Sequence, residues 1–209
     1  MLKVKEGKSG VYMNNIKEII RRINLELANP SNDIKVMTLV TPTSAVPQKT
    51  LVANLGIMYS RANEKVVIID TDFQNQSMID AFGIEPKFGL SEFLDNKSLK
   101  KEQVISHVEG QSLDVISSGN VEKKDTKYLI GDPRFNALID VLVGEYDRII
   151  INTPLFKEMD SVNNIIHVSD GVVLIVEDNK VKKNHFYGII RSLKHNKANI
   201  LGYIMVEKD

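Results

Sequence analysis

The chain has 209 residues, 43% of them hydrophobic, with 27 basic and 27 acidic side chains and no cysteine. This describes one globular domain with a proper core, expected in a reducing compartment, and excludes disulfides, thiolate metal sites and cysteine nucleophiles. A net charge of zero offers no cation excess for nucleic acid, four histidines without cysteine argue against structural zinc, and no apolar run nears the ~20 residues of a membrane span.

Met1 to Gly10 reads as a charged, flexible arm without the apolar centre of a leader peptide. Asn14 to Ala28 has apolar residues at Ile16, Ile19, Ile20, Ile23 and Leu27, which is helical spacing. The turn Asn29 to Asp33 separates it from Val36–Val40, an apolar run that predicts a buried strand. Thr50 to Ala62 reads as a helix, and Val66–Ile69 as a β-branched strand ending in Asp70-Thr71-Asp72. Gly89–Leu94 and Lys100–Val108 read as short helices, Leu113–Ile116 as a strand, and Asn120–Lys127 as an exposed loop. Pro133–Val143 predicts a helix, Arg148–Ile151 a strand, Ser161–Val168 a helix and Val172–Val176 a strand. Val181–Lys194 predicts the last helix and Ile200–Val206 the last strand.

Strands apolar on both faces, separated by helix-length segments, predict an α/β fold: a mainly parallel sheet flanked by helices. The expected organisation is one domain, with residues 1–33 as arm and helix and 34–209 as the core. Ligands of such sheets bind beyond the carboxyl ends of the strands. The residues there include Asp70 and Asp72, a pair that suits magnesium or the activation of a hydroxyl; the alternative is a turn-capping Asp70 and a solvated Asp72. Thr41 to Thr50 stands where a phosphate-binding loop would stand. Lys49 and Thr50 match its lysine and magnesium hydroxyl, but no glycine occurs between Gly10 and Gly56, and Pro47 lacks an N–H.

Taken in order, these segments resemble the bacterial tyrosine kinases (BY-kinases) of capsule and exopolysaccharide synthesis, within the deviant P-loop ATPases that include septum-site and partition ATPases. The resemblance runs from about Asn15 to Val206. It is carried by Glu18-Ile-Ile-Arg21-Arg22-Ile-Asn24, Val36 to Thr41, Asn54-Leu55, Val67-Ile-Ile-Asp70-Thr-Asp72, Gly89-Leu-Ser-Glu-Phe-Leu94 and Leu113-Asp-Val-Ile-Ser-Ser-Gly119. Tyr146-Asp-Arg-Ile-Ile-Ile-Asn152-Thr-Pro154, Ser169-Asp-Gly-Val-Val-Leu-Ile-Val176 and Ile200-Leu-Gly-Tyr-Ile204 complete it.

The resemblance implies a P-loop NTPase-like fold, with Asp70 and Asp72 as catalytic carboxylates, Thr50 and Asp70 on magnesium, and nucleotide held by the loop. It implies oligomerisation through Glu18 and Arg21, where Asn24 replaces the second arginine of Glu-x-x-Arg-x-x-Arg. Counting from the strand, Lys49 takes the place of the loop lysine; counting back from Asn54, Gln48 does. The family's third acidic position is Asn152, its basic residue after the second motif is Gln74, and its adenine-contacting asparagine falls on Val206. The six tyrosines are scattered, without the family's C-terminal cluster.

Read with these departures, the resemblance implies a catalytically impaired member with no cofactor or weak ATP or ADP binding with magnesium. It would act as a regulator or scaffold, peripheral at the inner face of the membrane through a partner. The implied partner is a membrane-embedded polysaccharide chain-length regulator or kinase adaptor, with an active paralogue as a second; no nucleic acid is expected. The rivals are an active tyrosine autokinase using Lys49, Thr50, Asp70 and Asp72, and a positioning ATPase. His107, His167, His185 and His195 share no ligand spacing and read as surface residues. The cations of Lys180–Lys183 and Arg191–Lys197 read as a solvated helix face, or as a contact for anionic lipid or an acidic tail.

Overall fold

The computed structural model describes residues 34–120, 126–157, 159, 162–177 and 180–206. The predicted arm, the helix Asn14 to Ala28, Glu18 and Arg21 all lie outside the described residues.

Seven strands form one sheet: β1 (Val36–Val40), β2 (Val66–Asp70), β3 (Ile105–His107), β4 (Leu113–Ile116), β5 (Arg148–Asn152), β6 (Gly171–Glu177) and β7 (Ile200–Val206). Their order is β3-β4-β2-β5-β1-β6-β7. Every pairing is parallel except β3 with β4. Among the described residues six helices cover the sheet: α1 (Ala45–Arg61), α2 (Ser77–Phe82), α3 (Leu90–Asp95), α4 (Pro133–Glu145), α5 (Asn163–His167) and α6 (Lys183–His195).

The pleat sorts the β-branched strands onto two cores. Met37, Leu39, Ile68 and Ile150 face Leu51, Val52, Leu55 and Tyr59 of α1 and Met78 of α2. Val36, Ile69, Ile149 and Ile151 face α3 and α4 on the other side, and Val40, Val172 and Leu174 face α5 and α6. Strands buried on both faces need helices on both faces, which is why their runs are continuously apolar. α1 lies close on the sheet at Gly56, where a Cβ would meet Ile68 Cδ1 at 2.7 Å.

Four segments differ from the sequence-based expectation. Lys100–Val108 is not a helix: a 3-10 turn at Lys101–Gln103 leads into β3. β3 runs back along β4 through a turn at Gly110, whose φ of 72° suits glycine. The Glu109-Gly110 dipeptide between two apolar runs was the hairpin signal. α2 was not foreseen; it is one short helix ended by Gly83 in the left-handed region. The third difference, the start of α1, belongs to the site. The predicted loop Asn120–Lys127 also gives way at Thr126 to a 3-10 turn, Thr126–Gly131.

Candidate strand-end site

α1 begins at Ala45, five residues before the helix expected from Thr50. Ser44 supplies the reason. It is extended at the N-cap, and its hydroxyl accepts a hydrogen bond from Val46 N at 3.4 Å. Pro47 sits in the first turn, where a missing N–H costs nothing because the helix leaves that donor unpaired. The segment that would be a phosphate cradle is therefore four residues of turn, Thr41 to Ser44, followed by ordinary helix. Thr41 Oγ1 accepts from Thr43 N at 3.3 Å, closing the turn on itself.

Strand parity decides what the helix meets. Asp70 of β2 and Asn152 of β5 are register partners, and both have the parity of Ile68 and Ile150, which puts them on the α1 face. From above, α1 lays down Gln48, which is 1% exposed. Gln48 Nε2 donates to Thr153 O at 2.7 Å and to Asn152 Oδ1 at 2.9 Å. Asn152 Nδ2 donates to Asp70 Oδ1 at 2.8 Å. The direction of this chain is forced. Thr153 O is only an acceptor, so the Gln48 atom on it is nitrogen, and each following amide must then present oxygen backward and nitrogen forward.

Asp70 is fully buried and closes the ladder. It also accepts from Asp72 N at 3.1 Å and Met78 N at 3.4 Å. Burial pushes its carboxyl up to about 7; the Asn152 and backbone hydrogen bonds oppose this, and the neighbouring Asp72 charge adds to it. No lysine or arginine among the described residues forms an ion pair with it. Asp72, expected to be solvated in one of the two readings, is 2% exposed and accepts from Gln74 N and Asn75 Nδ2. Its fixed turn places α2 beside the site.

Of the residues singled out in the sequence, Gln48, Asp70, Asp72 and Asn152 come together, and Lys49 and Thr50 do not join them. Lys49 Nζ lies 3.6 Å from Asp80 of α2 at the surface. Thr50 Oγ1 donates to Val46 O, one helical turn back, at 3.0 Å. The α1 side chain over the strand ends is Gln48, while Lys49 and Thr50 face away from them. Val206 packs at the edge of the α1 core, and Gln74 is exposed.

Thr153 was missed by sequence reasoning, although it anchors both neighbours: its carbonyl takes Gln48, and its hydroxyl donates to Leu39 O at 2.9 Å. Its signal was the position just past a buried strand. No group of three or more histidine, aspartate or glutamate side chains gathers among the described residues. His107 reaches only Asp114, its register partner across β3 and β4, at 2.8 Å.

No protein-family model matches the chain. Among curated proteins it is 27% identical to tyrosine-protein kinase YwqD of Bacillus subtilis over 184 residues, which is 88% of this chain and 77% of that one. It is 25% identical to the putative tyrosine-protein kinase CapB of Staphylococcus aureus, over 88% of this chain and 80% of that one. Its homologues are bacterial tyrosine-protein kinases. In fold it is similar to the kinase domain of the Escherichia coli tyrosine kinase ETK, with a TM-score of 0.82, 22% identity, and coverage of 91% of this chain and 76% of that one. A more distant likeness is the septum site-determining protein MinD of Pyrococcus horikoshii, solved with Mg-ADP: TM-score 0.67, 19% identity, coverage 82% and 69%. The fold is thus that of the P-loop NTPases. Residues 41–50 contain no glycine, Ser44 and Thr41 already accept the N–H groups of Val46 and Thr43, and the buried side chain next to the strand ends is a neutral amide.

Proposed function

We propose that this chain is a BY-kinase-like protein without phosphotransfer activity, acting as a regulator or scaffold in capsular or exopolysaccharide biosynthesis. It would dock on a membrane-embedded chain-length regulator or kinase adaptor, alone or beside an active paralogue. The observation that carries the reading is the ladder Gln48–Asn152–Asp70. Phosphoryl transfer needs a cation on the transferring phosphoryl group and carboxylates that hold its magnesium. Here the helix presents an amide, the third carboxylate position is an amide, and Asp70 is turned toward these partners. Loss of single phosphate or metal contacts commonly costs about 10²–10³ in rate, and here several are changed at once. The family resemblance supports the polysaccharide setting and the membrane partner.

Calorimetry of the purified protein with ATP and ADP, with and without magnesium, tests the reading. The expected result is no heat of binding at micromolar nucleotide. Micromolar, magnesium-dependent ADP binding that is lost in Asp72→Ala would show a working nucleotide site and overturn it.

A further inference from the structure

The last crossover of the sheet carries a charge asymmetry that the strand-end site does not use. Residues 180–206 contain six lysines and arginines (Lys180, Lys182, Lys183, Arg191, Lys194 and Lys197) and no aspartate or glutamate. With 27 side chains of each sign in the whole chain, the remainder is net acidic by six. All six cations are exposed. Lys180 pairs with Glu177 at 2.6 Å; the other five form no ion pair among the described residues.

α6 sorts its residues by face. Phe186, Ile189, Ile190 and Leu193 pack into the core with Val172, Leu174 and Val176 of β6. Along one flank of that apolar stripe Lys183, Tyr187, Arg191 and Lys194 follow one another at helical spacing and form one exposed row. Tyr187 is 52% exposed. Its ring stands edge-on to Phe186 at 5.9 Å, and Phe186 stands edge-on to Tyr203 at 5.2 Å. The tyrosine ring is therefore braced by Phe186 while about half of its surface stays open to solvent.

We propose that the outward face of α6 rests directly on anionic phospholipid headgroups, with Lys183, Arg191 and Lys194 at the lipid phosphates and Tyr187 at headgroup level. An amphipathic ring fixed within a row of unpaired cations matches the chemistry of an anionic bilayer surface. A duplex nucleic acid or an acidic peptide would use the cations and leave the tyrosine without a role. Each lysine or arginine at such a surface strengthens binding about fivefold, so the row and its flanking Lys182 and Lys197 give a reversible, salt-sensitive attachment. The acidic remainder of the chain is repelled by the same surface and turns this face toward it. The contact goes beyond docking through a partner protein and is independent of nucleotide.

The test is sedimentation of the purified full chain, without any partner, with phosphatidylcholine vesicles that contain or lack about one third phosphatidylserine. Binding is expected only to the phosphatidylserine vesicles and should fall more than about tenfold on raising the salt to about 0.5 M. The triple variant Lys183→Glu, Arg191→Glu, Lys194→Glu should lose more than about a hundredfold, and Tyr187→Ser a few-fold. A second triple, Lys87→Glu, Lys97→Glu, Lys100→Glu, makes the same change in net charge at exposed positions elsewhere and should keep most of the binding. Circular dichroism confirms that both triples fold. The proposal is overturned if the wild type ignores phosphatidylserine vesicles, if the two triples lose binding equally, or if duplex DNA or polyglutamate binds more tightly than the vesicles.

Discussion

Gln48 and Asn152 are a matched pair, and the match has an energetic signature. Two buried amides joined by one hydrogen bond bring no net charge of their own into the site, and Gln48 Oε1 finds no partner among the described residues. Asn152→Asp alone would add a third carboxylate beside Asp70 and Asp72 and should cost about 3 kcal/mol or more. Gln48→Lys in that background supplies the missing cation and should recover much of the loss. A double-mutant cycle by urea unfolding is expected to return a coupling of about 1–3 kcal/mol; additive effects would show that the two side chains do not act as a unit.

Asp70 adds a pH dependence. Its carboxyl is raised to about 7 in the folded chain against 3.8 in the ordinary range. Between those values the folded state holds the proton and the unfolded state has lost it. Stability from this group is therefore greatest below the lower value and falls as pH rises toward 7, by up to a few kcal/mol, on the order of 1.4 per unit of difference. The urea midpoint should be higher at pH 5 than at pH 8, and Asp70→Asn should remove most of that difference.

At the scale of elements, short-range chemistry decides where helices begin and how they seat. α1 starts early because Ser44 caps it and Pro47 fits its first turn, and it seats with Lys49 outward and Gln48 inward. α3 is seated differently. Leu90 N and Ser91 N donate to the carbonyls of Ser117 and Ser118, and Glu92 reaches back to Gly89 N at 2.8 Å and across to Asn120 N at 2.7 Å. The backbone approach is close enough that a Cβ on Gly89 would meet Gly119 N at 2.5 Å and Ser117 O at 2.7 Å. Gly89→Ala should thus cost about 2 kcal/mol or more, since backbone cannot rotate aside as a side chain can. Gly144, in α4 with nothing near its Cβ position, is the control: Gly144→Ala should stabilise by up to about 1 kcal/mol. The shifts in urea midpoint should have opposite signs.

At the scale of the whole molecule, the parallel core and most of its elements were legible in the sequence. Val36–Val40, Leu113–Ile116 and Ile200–Val206 are strands with the predicted bounds, because runs apolar on both faces can be satisfied only inside a covered sheet. Local pattern also placed Asp70 and Asn152 at strand ends. It did not distinguish β3 from a helix, because three residues of edge strand carry little periodicity and owe their conformation to the neighbour, β4. It could not choose between Lys49 and Gln48, since two anchors one residue apart leave the register open. Nor could it tell that the cations near α6 and Tyr187 share one outward face. The sequence by itself determined the layers of this protein, because burial of β-branched runs is a property of each segment. Only the tertiary structure decided which side chains meet at the strand ends, because that depends on which strands lie side by side and on how α1 seats across them, and neither is local.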